Sequence, residues 1–218
     1  MKYYLDITLL PDTEINLGFL WFKVYQQIHL MLVENKIGEK DSAIGISFPQ
    51  YGLNKGFPLG DKLRLLARSE QELTKVDVVR WLSRLEDYVH IKNIKPVPEK
   101  VEKFVYFKRW QHKSPEKLRL NVAKRAEYLS NKHGLDFEET KNNLLKSIEN
   151  YEEKSALPYI NLTSLSTDKM VAHEQRKNFK LFIEKQVVDK PSENSKQFTC
   201  YGLSRRSVED GMTVPWFD

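Results

Sequence analysis

The order of strand and helix patterns over the first 95 residues restricts the fold more than any other feature of the chain. Alternating apolar and polar residues predict strands, whereas apolar residues at intervals of three and four predict amphipathic helices. These patterns place strands at 2–9, 43–48, 63–67 and 88–94 and helices at 17–33 and 69–85. Ser69 and Glu72 form a capping box for the second helix. The resulting order is β-α-β-β-α-β.

That order predicts a ferredoxin-like (RRM-like) domain, in which two helices cover one face of a four-stranded sheet. Pro96 and Pro98 end this region. We therefore predict an α+β protein with a ferredoxin-like domain over 1–95 and a smaller α+β domain over 96–218. Besides a basic strand and helix, the second domain is expected to contain a helix at 136–151 and one small sheet with strands at 159–163, 179–187, 197–201 and 214–217.

Positive charge is concentrated in the run 103–125. Eight lysine and arginine residues there oppose one glutamate, a net charge of +7, whereas the whole chain carries +5. Ser114 and Pro115 predict a helix start, because serine caps free N–H groups and proline needs none. The predicted helix has an apolar stripe of Leu118, Val122, Ala126 and Leu129 and a polar face of Lys117, Asn121, Lys124 and Tyr128, flanked by Arg119 and Arg125. Such a face is either a solvated surface or a polyanion site, and local charge favours nucleic acid over a membrane.

A predicted strand at 104–111 comes just before this helix and is rich in aromatic and β-branched residues. Strand alternation would place Arg109 and Gln111 on one face. Arginine pairs with the Hoogsteen edge of guanine and glutamine with that of adenine, so the spacing suits two adjacent purines. An ordinary exposed strand face explains the same two residues, and the sequence leaves both interpretations open.

Composition excludes several classes of protein. The only cysteine, Cys200, cannot form an internal disulfide, and its surroundings predict a buried strand thiol. The sequence has no zinc-type Cys/His spacing, carboxylate cluster or glycine-rich phosphate loop, so we expect no metal or cofactor. No run approaches the ~20 apolar residues of a membrane span, and the N-terminus is too polar for a signal peptide. We expect a cytoplasmic protein with no membrane partner.

Few side chains are candidates for catalysis. His29 lies on the first predicted helix, where it is either a structural residue or an acid/base group, since imidazole titrates near neutral pH. Ser164 and Ser166 alternate at the end of a predicted strand, where hydroxyls commonly satisfy turns. Neither lies in a Gly-x-Ser-x-Gly motif, which argues against a serine hydrolase.

The order of these segments resembles a known family, the CRISPR precursor-RNA endoribonucleases of the type I-F (Ypest) system. The resemblance covers nearly the whole chain. It rests on YLDITL, the His29 helix followed by IGISFP, RWQHKSPEKLR, LPYINLTSLST, FKLFI, FTCYGLS and VPWF, of which FTCYGLS and VPWF are the most specific.

The resemblance implies a metal-independent enzyme that cuts CRISPR repeat RNA at the 3′ base of its stem-loop. The ribose 2′-OH would attack the phosphate, leaving a 2′,3′-cyclic phosphate, and the enzyme would stay bound to the hairpin of the mature guide RNA. His29 would be the catalytic histidine, Ser164 would hold the 2′-OH, Ser166 would support the local geometry and Tyr201 would orient the imidazole.

The same resemblance implies an RNA interface. Arg109 and Gln111 would read a guanine and an adenine of the lower stem, and Phe179 would stack beneath the closing base pair. The basic positions expected to contact RNA are Lys108, Lys113, Lys117, Arg119, Lys124 and Arg125, together with Asn121. Leu120 and Asn121 stand where the family has arginines, so affinity or repeat preference is expected to differ.

The expected partners are the repeat RNA stem-loop and the other subunits of the type I-F surveillance complex, with the protein a monomer on RNA. Two rival functions remain open. One is a hairpin-binding assembly subunit that does not cleave. The other is a DNA-binding protein that places the basic helix in a major groove, although no helix-turn-helix spacing supports it.

Overall fold

The computed structural model describes the chain except for residues 54–56, 112–114, 150–156, 165–177, 193–196, 206–209 and 218, and gives the backbone alone for 115–117. The chain divides into two compact units. The first comprises Met1–Trp110 and Pro158–Asp218, and the second comprises Gln111–Leu157. The predicted domain boundary at residue 95 does not coincide with this division, because the strands that follow it belong to the first unit.

The first unit is an α+β structure built on antiparallel sheets. Its strands are β1 (Tyr3–Leu9), β2 (Asp41–Ser42), β3 (Gly45–Ser47), β4 (Lys62–Ala67), β5 (Val89–Ile91), β6 (Lys95–Pro96), β7 (Lys103–Trp110), β8 (Tyr159–Thr163), β9 (Asn178–Val188), β10 (Phe198–Thr199) and β11 (Val214–Trp216). Its helices are α1 (Leu17–Glu34), α2 (Glu70–Lys75) and α3 (Val78–Leu82), followed by a 3₁₀ turn, Ser83–Tyr88. The predicted α+β class is confirmed.

The first sheet has the strand order β3-β4-β1-β5, and β6 also pairs with β1. Helix α1 begins where the side chain of Asn16 accepts the N–H of Phe19. The capping box predicted at Ser69 is present, but the single helix predicted over 69–85 is wrong. Asp77 adopts a left-handed backbone conformation (φ 46°) and its side chain accepts the N–H of Arg80. A short acidic side chain that bonds its own backbone interrupts a helix in this way.

The second sheet has the order β11-β7-β9-β8. The prediction that the last four strands form one small sheet is therefore wrong in two respects. The basic strand β7 lies between β11 and β9, and β10 pairs instead with β2. The ring of Phe198 explains the second difference, because it packs so closely on Gly45 that a Cβ there would lie 2.6 Å from it.

Helix α1 and strands of both sheets share one hydrophobic core. Trp21, Val24 and Ile28 on α1 are fully buried in the same cluster as residues of β1 and β4 and of the β7-β9-β8 strands. This packing explains why the β7 and β9 strands belong to the first unit. It also fixes the face of α1 that carries the candidate histidine.

The second unit consists of helices α4 (Pro115–Leu120), α5 (Val122–His133) and α6 (Phe137–Glu149). The basic helix predicted from Ser114 is present as α4 and α5, divided at Asn121. Its predicted apolar stripe is confirmed, with Val122 and Ala126 buried and Leu118 and Leu129 partly buried. Helix α5 ends at His133 and is capped by Gly134, whose left-handed conformation (φ 66°) is favourable for glycine. No helix among the described residues is long and apolar enough to span a membrane.

Candidate active site and RNA interface

His29 lies on α1 with its imidazole half-buried. The ring Nδ1 is 2.9 Å from the backbone carbonyl oxygen of Cys200. A carbonyl oxygen only accepts hydrogen bonds, so in the neutral imidazole Nδ1 carries the hydrogen and donates it. The lone pair is then on Nε2, and that atom is able to accept a proton.

Tyr201 fixes the plane of this imidazole. The two rings stack with centroids 4.2 Å apart and planes inclined by 2°. The turn that carries Tyr201 is held on two sides, because Ile46 N–H donates to the Gly202 carbonyl at 2.8 Å and Tyr25 Oη–H donates to the Tyr201 carbonyl at 2.8 Å. Burial raises the pKa of Tyr25, which keeps its hydroxyl protonated as the donor.

The environment of His29 lowers the pKa of its imidazole below the ordinary value of 6.5. Burial is the largest cause, since it disfavours the charged ring. The hydrogen bond to Cys200 opposes this effect, and the positive charge of Arg109 adds to it. His29 is therefore neutral at pH 7, the form in which Nε2 accepts a proton.

Arg109 lies between two aromatic rings. Its guanidinium carbon is 4.9 Å from the ring centroid of Tyr201 and 5.3 Å from that of Phe179. Both distances are in the range of cation–π attraction. The structure thus brings together four predicted site residues, His29, Tyr201, Arg109 and Phe179, in one continuous series of ring and guanidinium contacts.

Ser164 directly follows strand β8 and is half-buried. The residue before it, Thr163, donates its backbone N–H to Oε1 of Gln26 at 3.0 Å. Gln26 and His29 are on the same helix, three residues apart. The chain at Ser164 is therefore tied to the helix that carries the histidine. Ser166 lies outside the described residues.

Comparison with known proteins identifies the family. A family model described as CRISPR-associated protein (Cas_Csy4) matches residues 4–217. The chain belongs to this family. The match confirms the resemblance to the type I-F CRISPR proteins that the sequence motifs predict.

Two curated proteins match the chain over its full 218 residues and over the whole of their own length. Each is named CRISPR-associated endonuclease Cas6/Csy4. The protein from Pseudomonas aeruginosa (strain UCBPP-PA14) is 31% identical, and that from Escherichia coli (strain UTI89 / UPEC) is 28% identical.

Lys108 is placed differently from Arg109 in this Cas_Csy4 protein. Successive strand residues point to opposite faces, and Lys108 is only 6% exposed. Its ammonium group donates to Oε1 of Gln186 at 3.0 Å and lies 4.7 Å from the centroid of the Tyr106 ring. Burial lowers the pKa of this lysine. The structure does not bring Lys108 to the site around Arg109.

The remaining predicted RNA contacts belong to the second unit. Strand β7 ends at Trp110, one residue before the predicted end of the strand, so Gln111 lies outside β7. The described side chains of the basic helices that were predicted to contact RNA are all exposed: Arg119, Asn121, Lys124 and Arg125. Lys113 and the side chain of Lys117 lie outside the described part of the chain.

Three contributions to the site were missing from the sequence interpretation. Cys200 is not a buried strand thiol; it is half-buried in a turn, and its backbone carbonyl is the group that contacts His29. Tyr25 and Gln26 were not singled out, although polar atoms on the inner face of an amphipathic helix usually signal a specific partner. Among the described residues, no group of three or more histidine, cysteine or carboxylate side chains is placed to bind a metal ion.

Proposed function

We propose that this Cas_Csy4 protein is an endoribonuclease that cuts CRISPR repeat RNA at the 3′ base of its stem-loop to give mature guide RNA. The observation that carries the proposal is the state of His29. A neutral imidazole, with Nδ1 donating to a carbonyl and its plane fixed by Tyr201, presents Nε2 as a base. The names of the two relatives support the same class of reaction.

The proposed reaction is an internal transesterification. His29 Nε2 takes the proton of the ribose 2′-OH as the 2′ oxygen bonds to phosphorus. The bond from phosphorus to the 5′ oxygen then breaks, and that oxygen takes up a proton from water, while the His29 imidazolium returns its proton to the solvent. The products are a 2′,3′-cyclic phosphate and a 5′-hydroxyl. RNA supplies its own nucleophile, so an aligned base suffices and no metal is required.

Other residues have positioning roles in this proposal. Ser164 holds the 2′-OH, Ser166 supports the local geometry and Tyr201 keeps the imidazole in plane. Phe179 stacks beneath the closing base pair and Arg109 reads a guanine. The contact between these two side chains supports their acting at the same end of the stem. Gln111 reads an adenine of the lower stem.

We also propose that the first sheet is ferredoxin-like. The order β3-β4-β1-β5, with helices α1 and α3 in the two crossovers, supports this arrangement. The enzyme would act as a monomer, remain on the hairpin after cleavage and pass the RNA to other subunits of the type I-F complex.

Cleavage assays in EDTA separate the proposed enzyme from its rivals. We expect the purified protein to cut repeat RNA in EDTA at the rate observed with Mg²⁺. A protein that bound the hairpin without cutting it under either condition would be an assembly subunit. Equal competition by a DNA duplex of the same sequence would favour the DNA-binding alternative.

The pH dependence of cleavage follows from the lowered pKa of His29. The neutral imidazole is the active form, so the rate should rise with pH through a midpoint below 6.5.

Because the charge of Arg109 contributes to the lowering of the His29 pKa, Arg109→Gln should move the titration midpoint of His29 upward. Imidazole NMR titration of the RNA-free protein measures the midpoint without relying on activity. The matched variant Lys124→Gln should leave it unchanged, and an equal shift in both variants would contradict the assignment.

The basic helices are proposed to contact RNA phosphates through Lys113, Lys117, Arg119, Lys124 and Arg125, with Asn121 on the same surface. The double variant Lys124→Ala/Arg125→Ala should weaken hairpin binding and reduce the slope of log affinity against log salt by about 1.4–1.8, since each of the two phosphate contacts contributes roughly 0.7–0.9. Filter binding at several salt concentrations measures this slope. An unchanged slope would remove α5 from the interface.

A further inference from the structure

A contact at the end of strand β8 has no role in the proposed mechanism. The side chain of Gln26 accepts the backbone N–H of Thr163 at 3.0 Å. A backbone N–H only donates, so the atom facing it is the amide oxygen Oε1. Gln26 is half-buried, and its Nε2 is buried without a hydrogen-bond partner among the described residues. A half-buried polar side chain held in this way indicates a specific requirement for the amide oxygen.

The strand register explains why Thr163 needs that oxygen. Among the strands that the structure describes, β8 is at the edge of its sheet and pairs with β9 alone, with Thr163 opposite Asn178. The N–H of Ile183 donates to the Pro158 carbonyl at 2.9 Å, which marks those two residues as a hydrogen-bonded pair. In an antiparallel ladder such pairs alternate with pairs that exchange no hydrogen bonds. Thr163 is an odd number of residues after Pro158, so its N–H points away from β9.

We propose that Gln26 is a positioning residue that fixes Ser164 relative to His29. Gln26 precedes His29 by three residues on α1, roughly one helical turn. Thr163 immediately precedes Ser164. The hydrogen bond therefore joins the backbone at the serine to the helix that carries the base, and it sets how near the 2′-OH held by Ser164 comes to Nε2. This inference rests on the proposed function.

Two substitutions at Gln26 test the proposal. Gln26→Asn keeps an amide but shortens the side chain by one methylene, so its oxygen no longer reaches Thr163. Gln26→Glu keeps the length and an acceptor oxygen. We expect Gln26→Asn to lower the single-turnover cleavage rate by about 10- to 100-fold, the range that a misplacement near 1 Å produces. Hairpin affinity should stay within threefold, and Gln26→Glu should recover most of the rate.

The neighbouring Gln27 provides the matched control, since Gln27→Asn shortens an amide on the same helix and should change neither rate nor affinity. A wild-type rate in Gln26→Asn, or a Gln26→Glu variant as slow as Gln26→Asn, would overturn the inference. Hydrogen exchange of the Thr163 amide gives a readout that needs no RNA. It should be slow in the wild type and fast in Gln26→Asn, and equal exchange in the two would also overturn the inference. Absence of cleavage by the wild type would instead overturn the proposed function.

Discussion

Replacing His29 by alanine is expected to lower the single-turnover cleavage rate by about 10²–10⁴-fold, the contribution usual for a general base. Hairpin affinity should stay within a few-fold, because proton transfer stabilises the transition state and contributes little to ground-state binding. Rapid-quench kinetics and gel-shift titration measure the two quantities separately.

His90→Ala is the matched control for this substitution. His90 is exposed on β5, so its removal should change neither rate nor affinity. If His29→Ala lost hairpin binding together with cleavage, His29 would be a structural residue of α1 and not the base.

The second large effect concerns the buried ion pair between Asp6 and Arg64. The guanidinium donates to both carboxylate oxygens at 2.7 and 3.0 Å, and a third N–H donates to the Phe217 carbonyl at 2.7 Å. Its carbon lies 3.9 Å from the centroid of the Phe217 ring, and Arg64 is only 1% exposed. This network connects strands β1 and β4 to the residue that follows β11.

Asp6→Ala should therefore reduce the free energy of unfolding by about 3–5 kcal/mol, because it leaves an uncompensated charge in the core. Urea denaturation measures the loss. The double variant Asp6→Ala/Arg64→Met should recover part of it, since the orphaned charge is gone. As a control, Glu138→Ala breaks an exposed pair with Lys141 and should cost less than about 1 kcal/mol. A double variant no more stable than Asp6→Ala would contradict this account of the pair.

Local periodicity predicted the helices and strands around the site better than it predicted which strands pair with one another. The apolar spacing of α1 and the alternation of β1 reflect which face is buried, and the structure confirms both elements. The break at Asp77 was missed because a left-handed aspartate leaves no mark on the hydrophobic pattern. The pairing of β10 with β2 was missed for a different reason: it depends on the close approach of Phe198 to Gly45 across more than 150 residues of sequence.

The site shows the same limits. Motifs identified His29, Tyr201, Arg109 and Phe179, which the structure brings together. Lys108 was included because of its charge, yet strand alternation alone would have placed it on the face opposite Arg109. The partner of His29 could not be predicted, because a backbone carbonyl has no side-chain signature.

The nucleophile is expected to be the 2′-OH of the nucleotide before the cut, with His29 as its base. The most direct measurement uses synthetic repeat RNAs in EDTA, each with one 2′-deoxynucleotide, and identifies the product ends by mass spectrometry. We expect the deoxy substitution next to the cleaved bond to abolish cutting while hairpin affinity is retained. RNAs with the deoxynucleotide at any other position should still be cut and should yield a 2′,3′-cyclic phosphate and a 5′-hydroxyl. Cleavage of that deoxy substrate, or products with a 3′-hydroxyl and a 5′-phosphate, would contradict the mechanism.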